Sequence, residues 1–189
     1  FVYLMQAVWG SHVLPIDTSV YNFITKHFIS DTLTPIMRVI TQFGGTILMI
    51  IWAIASLVLI TNKRIAVSVV SNLVLIALLN NILKLIVRRA RPTGFRLITE
   101  TGYSFPSGHS MVSMAFYGYL IYLIHKNVRN TKLRWTLMTG FGLLIFIIGM
   151  SRIYLGVHYT SDVFAGFLFS LGYLVVYIKM TDPIVFQKK

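Results

Sequence analysis

The sequence predicts an all-α bundle of six membrane-spanning helices, and three observations carry that prediction. The 189 residues are 56% hydrophobic and only 12% charged, against roughly 25% charged in a soluble domain; mean hydropathy is +0.75. The apolar residues gather into stretches long enough to cross a bilayer, at about 20 residues each. Most of the net charge of +12 sits in the short connections between those stretches. In a soluble protein such a charge would suggest nucleic acid. Here no basic-aromatic face accompanies it and membrane topology accounts for it, so no nucleic-acid partner is expected. The absence of cysteine excludes disulfides and thiolate metal sites.

In chain order, residues 1–9 read as the end of a first, truncated span, with numbering that begins inside a longer protein. No charged stretch precedes them, so a cleavable signal peptide is not supported. Over residues 17–43, Val20, Phe23, Ile24, His27 and Phe28, then Leu33, Ile36, Met37 and Ile40, recur at helical spacing. That pattern predicts short amphipathic helices at the membrane interface, broken near Pro35. Residues 44–61 are apolar and uncharged, a second span. Residues 65–87 form a third, interrupted by Ser68, Ser71, Asn72, Asn80, Asn81 and Lys84. Residues 107–122, 135–150 and 159–178 complete the six. No repeat or low-complexity linker divides residues 1–189, which are expected to form a single domain.

Orientation follows from the cations in the short loops. Lys63, Arg64, Lys126, Arg129, Lys132, Arg134, Lys179, Lys188 and Lys189, nine of the 17, fall on one side, which is assigned to the cytoplasm together with both termini. Three short segments then lie at the opposite, extracytoplasmic mouth of a multi-pass protein of the cell membrane. They are Lys84-(six residues)-Arg91-Pro92, Pro106-Ser107-Gly108-His109, and Ser151-Arg152-(five residues)-His158-(three residues)-Asp162.

Each segment has its own physical logic. Lys84 closes the third span with Asn80 and Asn81 one turn before it, and a lysine there must snorkel or face a polar interior. Pro92 biases Arg91 out of helical geometry, which predicts that the helix ends there. A helix continued through Arg91 would hold the two cations about 10 Å apart; breaking it lets them converge on one anion. Arg88 and Arg89 read as interfacial, snorkelling residues. Ser107 can cap the fourth span and Gly108 leaves its first N–H groups open, an anion-compatible helix start with His109 in its first turn. An ordinary capped helix satisfies the same residues. Arg152 and His158 are held together by a short turn containing Gly156. Asp162 lies one helical turn after His158, where a carboxylate can fix one imidazole nitrogen and leave the other free to attack. A routine i,i+4 polar pair remains the plainer reading of that spacing.

His109, His158 and Asp162 could supply three zinc ligands. Three converging cations would repel a divalent ion, and only Glu100 and Asp162 are acids near the motifs, so no metal and no cofactor are expected. His12, His27 and His125 are background. Tyr103, Phe105, Tyr154 and Tyr159 read as interface-belt aromatics, with Tyr103 and Phe105 also placed to line a lipid entrance.

The three motifs, in this order across residues 84–162, resemble the type 2 phosphatidic acid phosphatase (PAP2) superfamily, and every motif position is filled. The short chain and compact loops are similar to its bacterial membrane branch, of the phosphatidylglycerophosphate phosphatase B-like and undecaprenyl pyrophosphate phosphatase-like kind. The resemblance implies a metal-independent membrane lipid phosphate phosphohydrolase working through a phosphohistidine. His158 would be the nucleophile, Asp162 its orienter and His109 the general acid and later base. Lys84, Arg91, Ser107, Gly108 and Arg152 would bind the phosphoryl oxygens. The expected partners are a membrane lipid phosphate (phosphatidylglycerophosphate, phosphatidic acid or undecaprenyl pyrophosphate class) and the bilayer, with no obligatory protein partner. Discrimination among lipids would fall to the groove between spans and to residues 93–103. Two alternatives stand beside this: a phosphotransferase using the same intermediate, and a non-enzymatic transporter of anionic lipids. The transporter is disfavoured by the paired histidines and by the lack of a discontinuous-helix signature.

Overall fold

The computed structural model describes residues 1–9 and 12–186. Among them every regular element is a helix: α1 (Val2–Ala7), α2 (Pro15–His27), α3 (Leu33–Gln42), α4 (Thr46–Leu59), α5 (Lys63–Val87), α6 (Gly108–Asn127), α7 (Thr131–Tyr154) and α8 (Thr160–Val185), with an irregular connection over residues 88–107. Helix α6 is the axle, packed against α5, α7 and α8. Its aromatic face buries Phe116, Tyr117 and Tyr119 among Val69, Leu73, Ile148 and Tyr177. Outward-facing residues such as Ile47, Val58, Leu59, Leu85, Phe146 and Val176 remain exposed. A belt of that size would be a liability in water and is what lipid tails accept.

Helices α5, α7 and α8 are long and apolar enough to span a membrane, and α3 with α4 adds a fourth candidate as one span bent by 44°. Helix α6 has 20 residues. It is enclosed by its neighbours and so can carry serines where a lipid-facing helix carries leucines. The sixth expected segment is represented by the six-residue α1, with Phe1 against Phe169 at 5.0 Å between ring centroids.

Two boundaries differ from expectation. The break in the amphipathic region falls before α3, and Pro35 lies inside that helix's first turn, where its missing N–H costs nothing. The expected continuous span over 44–61 begins at an elbow, Phe43–Gly45, so the discontinuous helix that the sequence did not signal is present. The elbow's N–H groups of Phe43, Gly44 and Gly45 donate back to the carbonyls of Ile40, Thr41 and Gln42. The Tyr117 hydroxyl donates to the Phe43 carbonyl at 2.8 Å, so this non-helical backbone is satisfied at depth. A Cβ on Gly44 would stand 2.8 Å from Ile148 and 3.1 Å from the His109 ring. The elbow therefore abuts the segment that carries His109.

The antiparallel order of α5 to α8 puts the end of α5, the start of α6, the end of α7 and the start of α8 at one pole. The cation-bearing ends, from Lys63 and Arg64 to Lys126, Arg129, Lys132 and Arg134, lie at the other. Lys188 and Lys189 lie outside the described residues.

Candidate active site

Helix α5 ends at Val87, earlier than Pro92 alone predicts, because Arg88 adopts a left-handed conformation (φ 51°) as its C-cap. For a residue other than glycine that conformation is uncommon, and the chain leaving it turns Arg89 inward. Arg88 stays exposed while Arg89 is completely buried. The reading of Arg89 as a snorkelling surface residue is therefore corrected. Its guanidinium donates to Asp162 Oδ1 and to Ser161 Oγ (2.7 Å) through one nitrogen. Through the other it donates to Asp17 Oδ2 (2.8 Å) and the His12 carbonyl (2.7 Å). Asp17, on α2 and 1% exposed, thus joins Glu100 and Asp162 as an acid of the motif region.

A cavity of about 420 Å³ opens beside these groups, and its polar end is formed by Lys84, Arg91, Glu100, His109, Arg152 and His158. Gly108 also lines it; a Cβ there would meet Asn80 Oδ1 at 3.0 Å. Toward the bundle it continues between Met49 and Ile50 of α4 and Leu73, Val74 and Ala77 of α5. Ser107 does not reach it. That side chain is fully buried and caps α6, accepting from the Ser110 N–H (3.4 Å) and Oγ (3.0 Å). Its own N–H donates to the Asp162 carbonyl at 3.1 Å.

The turn between α7 and α8 brings Arg152 and His158 together, as their spacing implied. Gly156 there has φ +72°, and a Cβ would overlap the Phe95 carbonyl oxygen at 2.1 Å, so only glycine fits. Arg91 donates to the carbonyls of Thr101 (2.9 Å) and Val157 (3.0 Å). Its Nη1 lies 3.2 Å from His158 Nε2. A guanidinium is a donor only, so Nε2 must offer its lone pair and the ring proton must sit on Nδ1. That nitrogen faces Asp162 Oδ2 at 3.4 Å. Oδ2 also accepts from the Tyr159 N–H (3.0 Å) and from Ser104 Oγ, holding the carboxylate edge toward the imidazole. Burial pushes the His158 imidazole down to about 4, the nearby Arg152 and Arg91 charges acting the same way against the pull of Asp162. A neutral ring with an unprotonated Nε2 is the form a nucleophile requires, and at this wall of the cavity its lone pair is held by Arg91 until a phosphate takes that donor.

Arg152 is held by Thr41 Oγ1 (2.6 Å) and Glu100. Glu100 also lies 3.9 Å from Arg91. Burial pushes its carboxyl up, but the charge and hydrogen bond of Arg152 outweigh this and hold it below the usual carboxylate range. The His109 ring borders the cavity. No group of three His, Asp or Glu side chains among the described residues is arranged to hold a metal ion.

Sequence reasoning found Lys84, Arg91, His109, Arg152, His158 and Asp162, which the structure gathers at one pole. It missed Arg89, Asp17, Ser104, Ser161 and Thr41. The signal for Asp17 was available: it sits three and seven residues before Val20 and Ile24, on the apolar face of its helix. Phe105 and Tyr154, read as belt aromatics, are core residues at 0% and 4% exposure. The Tyr154 hydroxyl binds Thr34 Oγ1 at 2.9 Å.

Comparison with known proteins gives a consistent picture. The family model of the PAP2 superfamily matches residues 65–185. Phosphatidylglycerophosphatase B of Bacillus subtilis is 37% identical over 105 residues, covering 53% of this chain and 49% of that protein. The chain thus spans about half the length of that relative. An undecaprenyl-diphosphatase of Sulfolobus acidocaldarius is 25% identical over 188 residues, 95% of this chain and 86% of that protein. Among solved structures, the transmembrane PAP2 type phosphatidylglycerolphosphate phosphatase from Bacillus subtilis superposes with a TM-score of 0.81 at 25% identity. That match covers 99% of this chain and 94% of the other.

Proposed function

The chain belongs to the PAP2 superfamily, and on that premise we propose that it removes the terminal phosphate from a membrane lipid through a phosphohistidine formed on His158. The observation that carries this is the ring orientation of His158, with Nδ1–H toward Asp162 Oδ2 and an unprotonated Nε2 against Arg91, in the wall of a cavity also lined by Lys84 and Arg152. Phosphoryl transfer asks for little beyond positioning and charge stabilisation around the equatorial oxygens, which those three cations supply.

In the first step Nε2 attacks phosphorus in line; the P–N bond forms and the bond to the lipid oxygen breaks. His109 gives that oxygen its proton. In the second step His109 takes a proton from water, the water oxygen attacks phosphorus, and the P–N bond breaks to release inorganic phosphate. The apolar extension of the cavity between α4 and α5 favours a lipid over a water-soluble phosphate ester. Phosphatidylglycerophosphate, phosphatidic acid and undecaprenyl diphosphate all present a terminal phosphate at the membrane interface. The test is phosphate release by purified protein from these three lipids, with and without EDTA. Release from at least one, at the same rate in EDTA, is expected. Loss of turnover in EDTA would overturn the metal-free mechanism, and transfer to an added alcohol without release would favour the phosphotransferase.

The catalytic pole is assigned to the extracytoplasmic side because the opposite pole gathers the loop cations. The native chain has no cysteine, so single cysteines report sidedness cleanly. In intact cells Thr99→Cys should react with a membrane-impermeant maleimide and Arg129→Cys should not; the reverse pattern would invert the assignment.

A further inference from the structure

The buried cluster Asp17–Arg89–Ser161–Asp162 contributes no atom to the cavity, yet it joins one end of the chain to the carboxylate behind His158. Three donors converge on Asp162 Oδ2, whereas Oδ1 is held by Arg89. Without a partner on Oδ1 the carboxylate could turn about its last side-chain bond and present either oxygen to the imidazole. The Arg89 fork fixes that plane. Arg89 is itself held through both terminal nitrogens, by Asp17, Ser161 Oγ and the His12 carbonyl, and by the Tyr159 ring, whose centroid lies 4.1 Å from its central carbon.

Asp17 does more than neutralise Arg89. Its Oδ1 accepts the Ser161 N–H at 2.8 Å and its Oδ2 accepts the Ser161 Oγ proton at 2.8 Å. The Ser161 N–H is one of the orphan donors in the first turn of α8. A carboxylate from α2, 144 residues away in sequence, thus caps the helix that carries Asp162. The same Asp17 side chain accepts from its own Leu14 N–H at 3.2 Å, which ties the start of α2 to this arrangement.

We propose that Asp17 and Arg89 are positioning residues for phosphoryl transfer, through which docking of the amphipathic helix α2 sets the orientation of Asp162 and hence of His158. This rests on His158 being the nucleophile. The charged and titratable groups facing Asp162 are Arg89 and Tyr159 directly, Asp17 across Arg89 and Ser161, His158 on the same helix end, and Arg91 and Lys84 on the cavity side. Removing Arg89 leaves the Asp162 and Asp17 carboxylates buried without the cation they share, which favours protonation of one of them. Removing Asp17 as well leaves one.

The experiment uses the whole chain in detergent micelles, with short-chain phosphatidic acid as the probe, for Asp17→Asn, Arg89→Gln, Arg89→Lys and the Asp17→Asn/Arg89→Gln double variant. Outer partners of an oriented imidazole are worth roughly 10- to 100-fold in metal sites, and a loss of about that size in kcat is expected for each glutamine or asparagine single variant, with KM nearly unchanged. Arg89→Gln should also shift the acidic limb of kcat to higher pH, and the double variant should move it back and recover part of kcat. Arg89→Lys, which keeps the charge but loses the fork, should retain more activity than Arg89→Gln and serves if the latter does not fold. Nitrogen-15 NMR of histidine-labelled protein supplies a readout independent of turnover: His158 protonated on Nδ1 in the parent and a mixture of tautomers in both arginine variants. An unchanged His158 tautomer in an active, folded Arg89 variant would overturn the proposal while leaving the phosphatase reading intact. A parent that does not hydrolyse the probe, with the tautomer shift still present in the arginine variants, would count against the function and support the positioning. A fall in activity matched by loss of folded protein, with no pH shift and no tautomer change in the lysine variant, would reduce the cluster to a structural ion pair and overturn it.

Discussion

His158→Gln is expected to lower kcat by about ten-thousandfold or more, the scale seen when the nucleophile of an oriented catalytic set is removed. Glutamine keeps a polar group of similar reach but offers phosphorus no imidazole lone pair. Binding should survive if Lys84, Arg91 and Arg152 meet the phosphate oxygens as proposed, because these cations keep other partners: Arg91 loses His158 Nε2 but keeps the carbonyls of Thr101, Gly102 and Val157, and Arg152 keeps Thr41 and Glu100. The measurement is steady-state turnover of a lipid phosphate together with vanadate binding. Vanadate can adopt the five-coordinate geometry of in-line attack. A His158→Gln variant within tenfold of the parent would remove the assigned nucleophile.

Asp162→Asn is expected to cost nearly as much, roughly a thousandfold to ten-thousandfold in kcat with little change in KM, because an amide can donate toward Nδ1 and force the proton onto Nε2. That tautomer presents an N–H, not a lone pair, to the cavity. Electrostatics argues that the fold tolerates the change, since Arg89 retains Asp17 as a buried counter-charge at 2.8 Å. Losing the only partner of a buried charge typically costs about 3–5 kcal/mol, and here one partner remains. The combined Asp162→Asn/His158→Gln variant should be no slower than His158→Gln alone, because groups that act as a unit are not additive. Losses that multiply in the double variant would show the two residues acting independently.

Much of this site was legible because its residues sit at helix ends and the spacing between them is short. A five-residue turn leaves Arg152 and His158 no freedom to separate, and one helical turn forces His158 and Asp162 onto one face. The same reasoning failed at Arg88 and Arg89. Helical periodicity assigns facing only while the helix lasts, and the chain leaving a left-handed arginine that ends α5 early turns Arg89 inward. Asp17 could be placed on the apolar face of its helix, but what it binds could not be read. Its partners Arg89 and Ser161 lie 72 and 144 residues on, and only the packing of α2 against α8 brings them together. Ser104 belongs to a connection without regular structure, where no period applies. In the fold, the long apolar helices were evident from composition, whereas the 44° bend between α3 and α4 is met by the Tyr117 hydroxyl and lies beside His109, both from another helix. Gly44-Gly45 marked the place, but nothing nearby said that the chain would turn there and not continue.

The covalent intermediate is the central claim, and the stereochemical course at phosphorus tests it most directly. A lipid phosphate monoester made chiral at phosphorus with oxygen isotopes and sulfur would be hydrolysed in isotopically labelled water and the configuration of the released thiophosphate determined. Two in-line displacements, first by His158 Nε2 and then by water, each invert the centre, so net retention is predicted. Net inversion would mean that water attacks the lipid phosphate in a single step, and would contradict the phosphohistidine mechanism.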